Sequence, residues 1–267
     1  MKNLNKRSVK KILSSILLVV LFLPTNLVYA NSEEIKPIDL EKWSQLSVFG
    51  EVEIQEGNIK HERIATEQNS MSIEQLKNTY SNEELYALIE NNLYQAINDQ
   101  KNGSFIIWNK DVVENHIKYD FPHIYKEIKE NNLLKVDYTF FSDNNYKLKN
   151  SSKSSGSKDY TFSVTFKDGL RLKIFTVNSF ITWEWDSNDK LTSVTADDYI
   201  NVYDYWEDLG INASTNTYSY DKKTCVHYVE AKTRHNPLVG PKGPIRYPWI
   251  KIELASTYGK VEDSGIL

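Results

Sequence analysis

From Tyr160 the chain alternates almost without exception. Tyr160, Phe162, Val164 and Phe166 are interleaved with Thr161, Ser163, Thr165 and Lys167. A period of two places one set on each face of a strand, so this stretch reads as a half-buried β-strand and not as an amphipathic helix. Asp168-Gly169 is a hairpin turn signal, and Leu170, Leu172 and Ile174 carry the alternation into a return strand. Phe180 to Trp185 and Leu191 to Val194 flank a second hairpin turn at Asp186 to Asp189. Tyr199 to Tyr205, Tyr218 to Tyr220, Cys225 to Ala231 and Trp249 to Leu254 add further short strands. Strands of this length, separated by turn signals every roughly 8–12 residues, predict an antiparallel β-sandwich-like segment over 159–267.

The preceding segment, 31–149, has a different rhythm. Ser72 with Gln75, and Ser81 with Glu84, have the spacing of capping boxes. After the second, Leu85, Leu88, Ile89, Leu93, Ala96 and Ile97 recur at helical spacing, and Asn102-Gly103 ends the run. Asp120-Phe-Pro122 opens another helix, with its proline in the first turn and Ile124, Tyr125 and Ile128 on its apolar face. Val48 to Ile54 and Phe105 to Trp108 read as strands, and from Leu133 to Phe140 the period returns to two. Residues 150–158 are rich in Ser and Lys and read as an exposed loop or linker. The fold class expected is therefore α+β: a helical N-terminal segment with two amphipathic helices, then an all-β antiparallel segment.

Residues 1–30 have the layout of a secretory signal peptide. Lys2, Lys6, Arg7, Lys10 and Lys11 precede an apolar run from Ile12 to Leu23, and Val28-Tyr29-Ala30 supplies small residues before a cut near Ala30. The run is shorter than the roughly 20 apolar residues that span a bilayer. The mature chain is thus expected to be extracellular, with no transmembrane segment. It keeps 27 basic and 36 acidic residues, a balance of −9. That argues against nucleic acid as a partner, because such binding needs a positive field. A single cysteine, Cys225, leaves no intramolecular disulfide and no cysteine zinc cluster. The Lys- and Asn-rich style fits a Gram-positive source.

The candidate chemistry is sparse. Cys225 and His227 fall on one face of a strand, roughly 6–7 Å apart at strand rise. This is the spacing of a thiol and a base, but also of two core residues, and no helix N-terminus is at hand to lower the thiol pKa. None of His61, His116, His123, His227 and His235 stands at the i,i+4 spacing of a zinc helix. Asp186, Asn188 and Asp189, or Asp197 and Asp198, offer oxygens for calcium, yet Asp and Asn are the ordinary turn residues. Glu184 and Asp186 share a face, a weak hint of paired carboxylates. The aromatic strands around Trp183, Trp185, Tyr199, Tyr203, Tyr205 and Trp206 combine core filling with a possible stacking surface for sugars or peptides. No P-loop, dinucleotide-binding glycine pattern or G-x-S-x-G occurs, so neither a cofactor nor a metal is expected.

The least ordinary stretch is Lys232 to Pro248. It holds Pro237, Pro241, Pro244 and Pro248, and it carries Lys232, Arg234, His235, Lys242 and Arg246 with no acid. A stiff basic loop on an acidic protein is a contact surface for an anionic partner, a protein or a cell-surface component. The reading that follows is a secreted, non-enzymatic protein that binds a surface or partner. The alternatives are an antimicrobial or toxin-like protein acting on other cells, and a thiol-dependent hydrolase using Cys225 and His227.

Overall fold

The computed structural model describes residues 37–56, 73–136, 138–139, 154–203, 206–236 and 241–267. Residues 1–30, read as a signal peptide, the first capping serine Ser72, and residues 150–153 of the Ser/Lys-rich stretch lie outside the described residues. From Pro37 to Leu267 the chain is one compact unit.

Its helices all precede its long strands. Helix α1 (Leu40–Gln45) starts at Asp39, whose side chain accepts from the Lys42 amide at 3.0 Å. Strand β1 (Phe49–Glu56) follows, then helices α2 (Ile73–Thr79) and α3 (Asn82–Lys101). Helix α3 opens on the expected capping box: Ser81 N–H donates to Glu84 Oε2 at 2.8 Å, and Glu84 N–H donates to Ser81 Oγ at 3.2 Å. It ends at Asn102, with Gly103 at φ +96°. Strand β2 (Ile106–Trp108) leads into a helical stretch that sequence periodicity missed. This stretch, α4, begins as Lys110–Val112, widens into a π-helical turn at Val113–Ile117 and closes at Lys118–Asp120. Helix α5 (Pro122–Glu130) is the second predicted helix, with its proline in the first turn.

The strands form two antiparallel sheets. The first has the order β2-β1-β4-β5-β6, with β4 (Gly156–Lys167), β5 (Lys173–Trp185) and β6 (Leu191–Val202). The second has the order β3-β11-β10-β8-β7, with β9 attached to β8. Its strands are β3 (Tyr138–Thr139), β7 (Trp206–Tyr218), β8 (Thr224–His235), β9 (Ile245–Arg246), β10 (Pro248–Ala255) and β11 (Gly259–Ile266). Alternation does what it must: Phe162, Val164, Val177, Ile181 and Trp183 of the first sheet share one buried apolar cluster with Cys225, Val229, Ile250, Ile252 and Leu254 of the second.

Three boundaries differ from expectation. Strand β4 begins at Gly156, inside the stretch read as a loop, because residues 156–158 pair with Trp183, Glu184 and Trp185. Strands β7 and β11 were largely unread. Strand β1, from the helical segment, pairs along its length with β4, so the first sheet is built from both sides of the Ser/Lys-rich stretch.

A second apolar cluster joins the helices to the other face of β1 and β2. It contains Trp43, Phe49, Ile89, Leu93, Ile106, Trp108, Val113, Ile117, Phe121 and Ile124. Polar anchors fix its geometry. Trp43 Nε1 donates to Asp120 Oδ2 at 3.1 Å and Trp108 Nε1 to Gln100 Oε1 at 2.7 Å. Trp43 also reaches the β4–β5 turn: a Cβ at Gly169 would meet its ring at 2.7 Å, so only glycine admits this contact. Beside it Arg171, at φ +61°, donates to Asp99 and Glu51 at 3.0 Å, tying α3 and β1 to the same turn.

Candidate functional site

The helix layer and the end of the second sheet enclose a cleft of about 270 Å³. Its walls come from five separate parts of the chain, the last being Ile266 of β11. Ser47 lies on the link between α1 and β1, where Val48 N–H donates to Lys167 O and Val48 O accepts from Asn109 N–H. Asn109 caps α4, its Oδ1 accepting from the amides of Asp111 (3.1 Å) and Val112 (3.3 Å). Asn115 and His116 stand on the π-helical turn of α4. Such a turn inserts an extra residue and re-aims the side chains around it, and it recurs at functional sites. Trp206 opens β7, and Arg246 belongs to β9.

Two atoms behind these walls have no protein partner. Ser47 is only 3% exposed, and its Oγ makes no hydrogen bond; the buried Nδ1 of His116 is likewise unpaired. A buried polar atom left unsatisfied costs roughly 1–3 kcal/mol. Both atoms have almost no accessible surface, so they lie behind the cleft wall and not on it. The His116 imidazole is held below its usual pKa by burial, reinforced by nearby Lys42 and opposed by Asp120. It therefore presents one donor and one acceptor as a neutral ring.

A second cavity, about 150 Å³, adjoins the first. The two share Asn109, Asp111 and Ile266, and the second adds Trp249, Lys110 and Asp263. Lys110 Nζ and Asp263 Oδ2 are 3.6 Å apart across it.

The five basic residues expected to form one contact surface are divided. Arg246 lines the cleft. His235 packs edge-on to Trp206, with ring centroids 5.5 Å apart, and burial lowers its pKa against a weaker opposing pull from Glu41. Lys242 and Arg234 both turn to Glu207, at 3.0 and 3.8 Å. Lys232 is half-buried on β8. The acid missing from the loop sequence is thus supplied by β7. Pro237 and Gly240 lie outside the described residues.

Cys225 faces the shared core, fully buried, and burial pushes its thiol up to about 11. His227, also buried, does not serve it. The ring's Nδ1 lies 2.7 Å from Asn216 Oδ1, and its Nε2 lies 3.1 Å from Asp198 Oδ1. Asn216 Nδ2 donates to Val194 O at 3.0 Å, which fixes its oxygen toward the histidine. Both ring nitrogens therefore lie within hydrogen-bond reach of oxygens. Burial pushes the Asp198 pKa up, but bonds from His227 and from Ser214 Oγ (2.6 Å) outweigh it and hold the carboxyl below its usual range.

Asp198 is therefore spent on this pair. Asp186 is spent on its own turn, accepting from the amides of Asn188 and Lys190. Among the described residues, no three His, Cys, Asp or Glu side chains converge to hold a metal ion. Nor, among those residues, is any helix long and apolar enough to cross a membrane.

Ser47 and Asn115 were not singled out in the sequence, His116 appeared there only as one of five histidines, and Trp206 only as one of six aromatics offered as a stacking surface. The one available signal was Asn109-Lys-Asp111, a cap with an acid in the first turn. No protein-family model, curated protein or solved structure matches this chain.

Proposed function

We propose that this chain is a secreted binding protein whose ligand enters the cleft between its helices and the end of its second sheet. The observation that carries this reading is the cavity itself, where Ser47, Asn109, Asn115, His116, Trp206 and Arg246 converge from separate parts of the chain. A few convergent polar groups in a preformed concavity are the usual form of a ligand site. The charged start, apolar run and Val28-Tyr29-Ala30 support export, and two antiparallel sheets sharing one core support a sandwich-like scaffold that holds the cleft rigid. The buried, high-pKa Cys225 gives no support to thiol hydrolysis.

The test is a screen of small polar compounds followed by NMR. The expected result is that shifts induced by any hit cluster on the His116 ring and the Trp206 indole, and that Ser47→Ala weakens the hit. Hits that cluster elsewhere on the protein, or leave both rings untouched, would overturn the proposal.

A further inference from the structure

The geometry points to a neutral oligosaccharide as the occupant of this cleft and its neighbour, an inference that rests on the binding reading above. The first argument is charge. In the cleft Arg246 is matched by Asp111, and in the adjoining cavity Lys110 is matched by Asp263 at 3.6 Å. The walls are balanced along both cavities, so neither an anion nor a cation gains a field there. Of the loop charges, Arg234 and Lys242 are turned to Glu207.

The second argument is the kind of hydrogen-bonding group. Gln45 and Asn115 offer amides, and Asn109 its Nδ2, since its Oδ1 is held by the α4 cap. Amides donate and accept, and so do sugar hydroxyls.

The third argument is the indoles, one in each cavity. A pyranose ring has polar edges and an apolar face of C–H groups, which packs flat on an aromatic ring. Trp206 lines the larger cavity and Trp249 the smaller. Trp249 is placed deliberately: it sits opposite Gly265 in the β10–β11 register, and its ring atoms pass within 2.9–3.1 Å of where a Cβ at 265 would stand. Glycine there lets the indole lie against the sheet. The two cavities share a wall at Asn109, Asp111 and Ile266, so their length suits more than one ring, and together they reach the lower range of ligand sites, roughly 300–1,000 Å³.

The test is titration of the full mature chain with maltotriose, cellotriose and chitotriose, with trigalacturonate as the acidic counterpart and trialanine as a peptide probe, read by calorimetry and tryptophan fluorescence. At least one neutral trisaccharide is expected to bind and to change the fluorescence. Trp249→Ala should weaken it at least tenfold with the melting temperature unchanged. Asn115→Ala, at an exposed position, should weaken it several-fold and serves if Trp249→Ala does not fold. Binding of trigalacturonate or trialanine in place of the neutral sugars would overturn the saccharide assignment but keep the cleft as a binding site. Silence from all five probes would overturn the assignment too, while hits from the polar-compound screen would still uphold the cleft itself.

Discussion

Replacing Asp198 by alanine isolates the buried His227–Asp198 contact, which joins β6 of the first sheet to β8 of the second. The side chains of His227 and Asp198 are 1% and 5% exposed. Around them β6 and β7 are tied by Ser214 Oγ to Asp198 and by Asn216 Nδ2 to Val194 O, and Leu191 N–H donates to Lys222 O of the β7–β8 turn at 2.7 Å. Removing one member of a buried pair costs about 3–5 kcal/mol. Here His227 keeps its contact with Asn216, so the penalty is that of one unpaired buried ring nitrogen plus the lost attraction. The expectation is about 3 kcal/mol, or a melting-point drop of about 6–12 °C at 2–4 °C per kcal/mol for a chain this size. Urea unfolding should show a lower midpoint with an unchanged slope. The double variant Asp198→Ala with His227→Leu should recover part of the loss, since removing both partners leaves nothing charged in the seam. A loss below about 1 kcal/mol for Asp198→Ala, or simple additivity in the double variant, would refute the clamp. The pair also sets an acid limb. A carboxyl held below its unfolded pKa, about 3.9, lends stability that is full above that value and is lost as pH falls through the lower folded value. Asp198→Asn should flatten this limb.

The remaining expectations are narrower. His116 and His235 both have lowered pKa values, so the unfolded chain binds protons more readily than the folded one; stability should fall as pH drops from 7 through the ordinary histidine range, and the double variant His116→Gln, His235→Gln should lose less over pH 7 to 5 in thermal melts. Cys225, buried with its thiol raised to about 11, should resist a disulfide reagent at pH 8 until the protein is unfolded, and Cys225→Ser should cost about 1–2 kcal/mol in urea titrations by placing a hydroxyl in the core. N-terminal sequencing of the exported protein should begin at Asn31 or within a few residues; retention of Met1 would refute cleavage near Ala30.

How far the fold could be read from the residues depended on whether each strand carried its own pattern. Strands β4 and β5 alternate apolar with Ser/Thr/Asn positions, so their period was visible and their hairpin was placed, although Thr161, Ser163 and Thr165 prove to be buried too. Strand β7 was not visible. Its Asn212, Ser214, Thr215, Asn216 and Thr217 are exposed and polar, and it exists because it pairs with β8 over ten residue positions. Pairing leaves no mark on the unpaired sequence. Helix α3 announced itself through its capping box, whereas α4 hid behind its π turn, which breaks the 3.6-residue rhythm that periodicity looks for. The site was less legible still. Only Arg246 of the five basic residues reached the cleft, because whether a charge is free depends on what lies across from it. Glu207 is 27 residues from Arg234 and 35 from Lys242, and no reading of the loop in isolation brings it there.

The position of the cleft follows from how the two clusters are joined. The core between the sheets is sealed by their own alternating faces. The helices cover the outside of β1 and β2, anchored by Trp43 against Gly169 and Asp120, and by Arg171 on Asp99 and Glu51. Where that layer ends, at the α1–β1 link and the start of α4, its backbone meets the ends of β7, β9 and β11 and not a flat sheet face. Strand ends and helix starts both leave polar groups to be satisfied. Asn109 satisfies two of the α4 amides itself. The lining side chains are held by the elements on either side. A site assembled this way would not need flexible loops: its groups are positioned by packing before any ligand arrives, which lowers the ordering cost of binding.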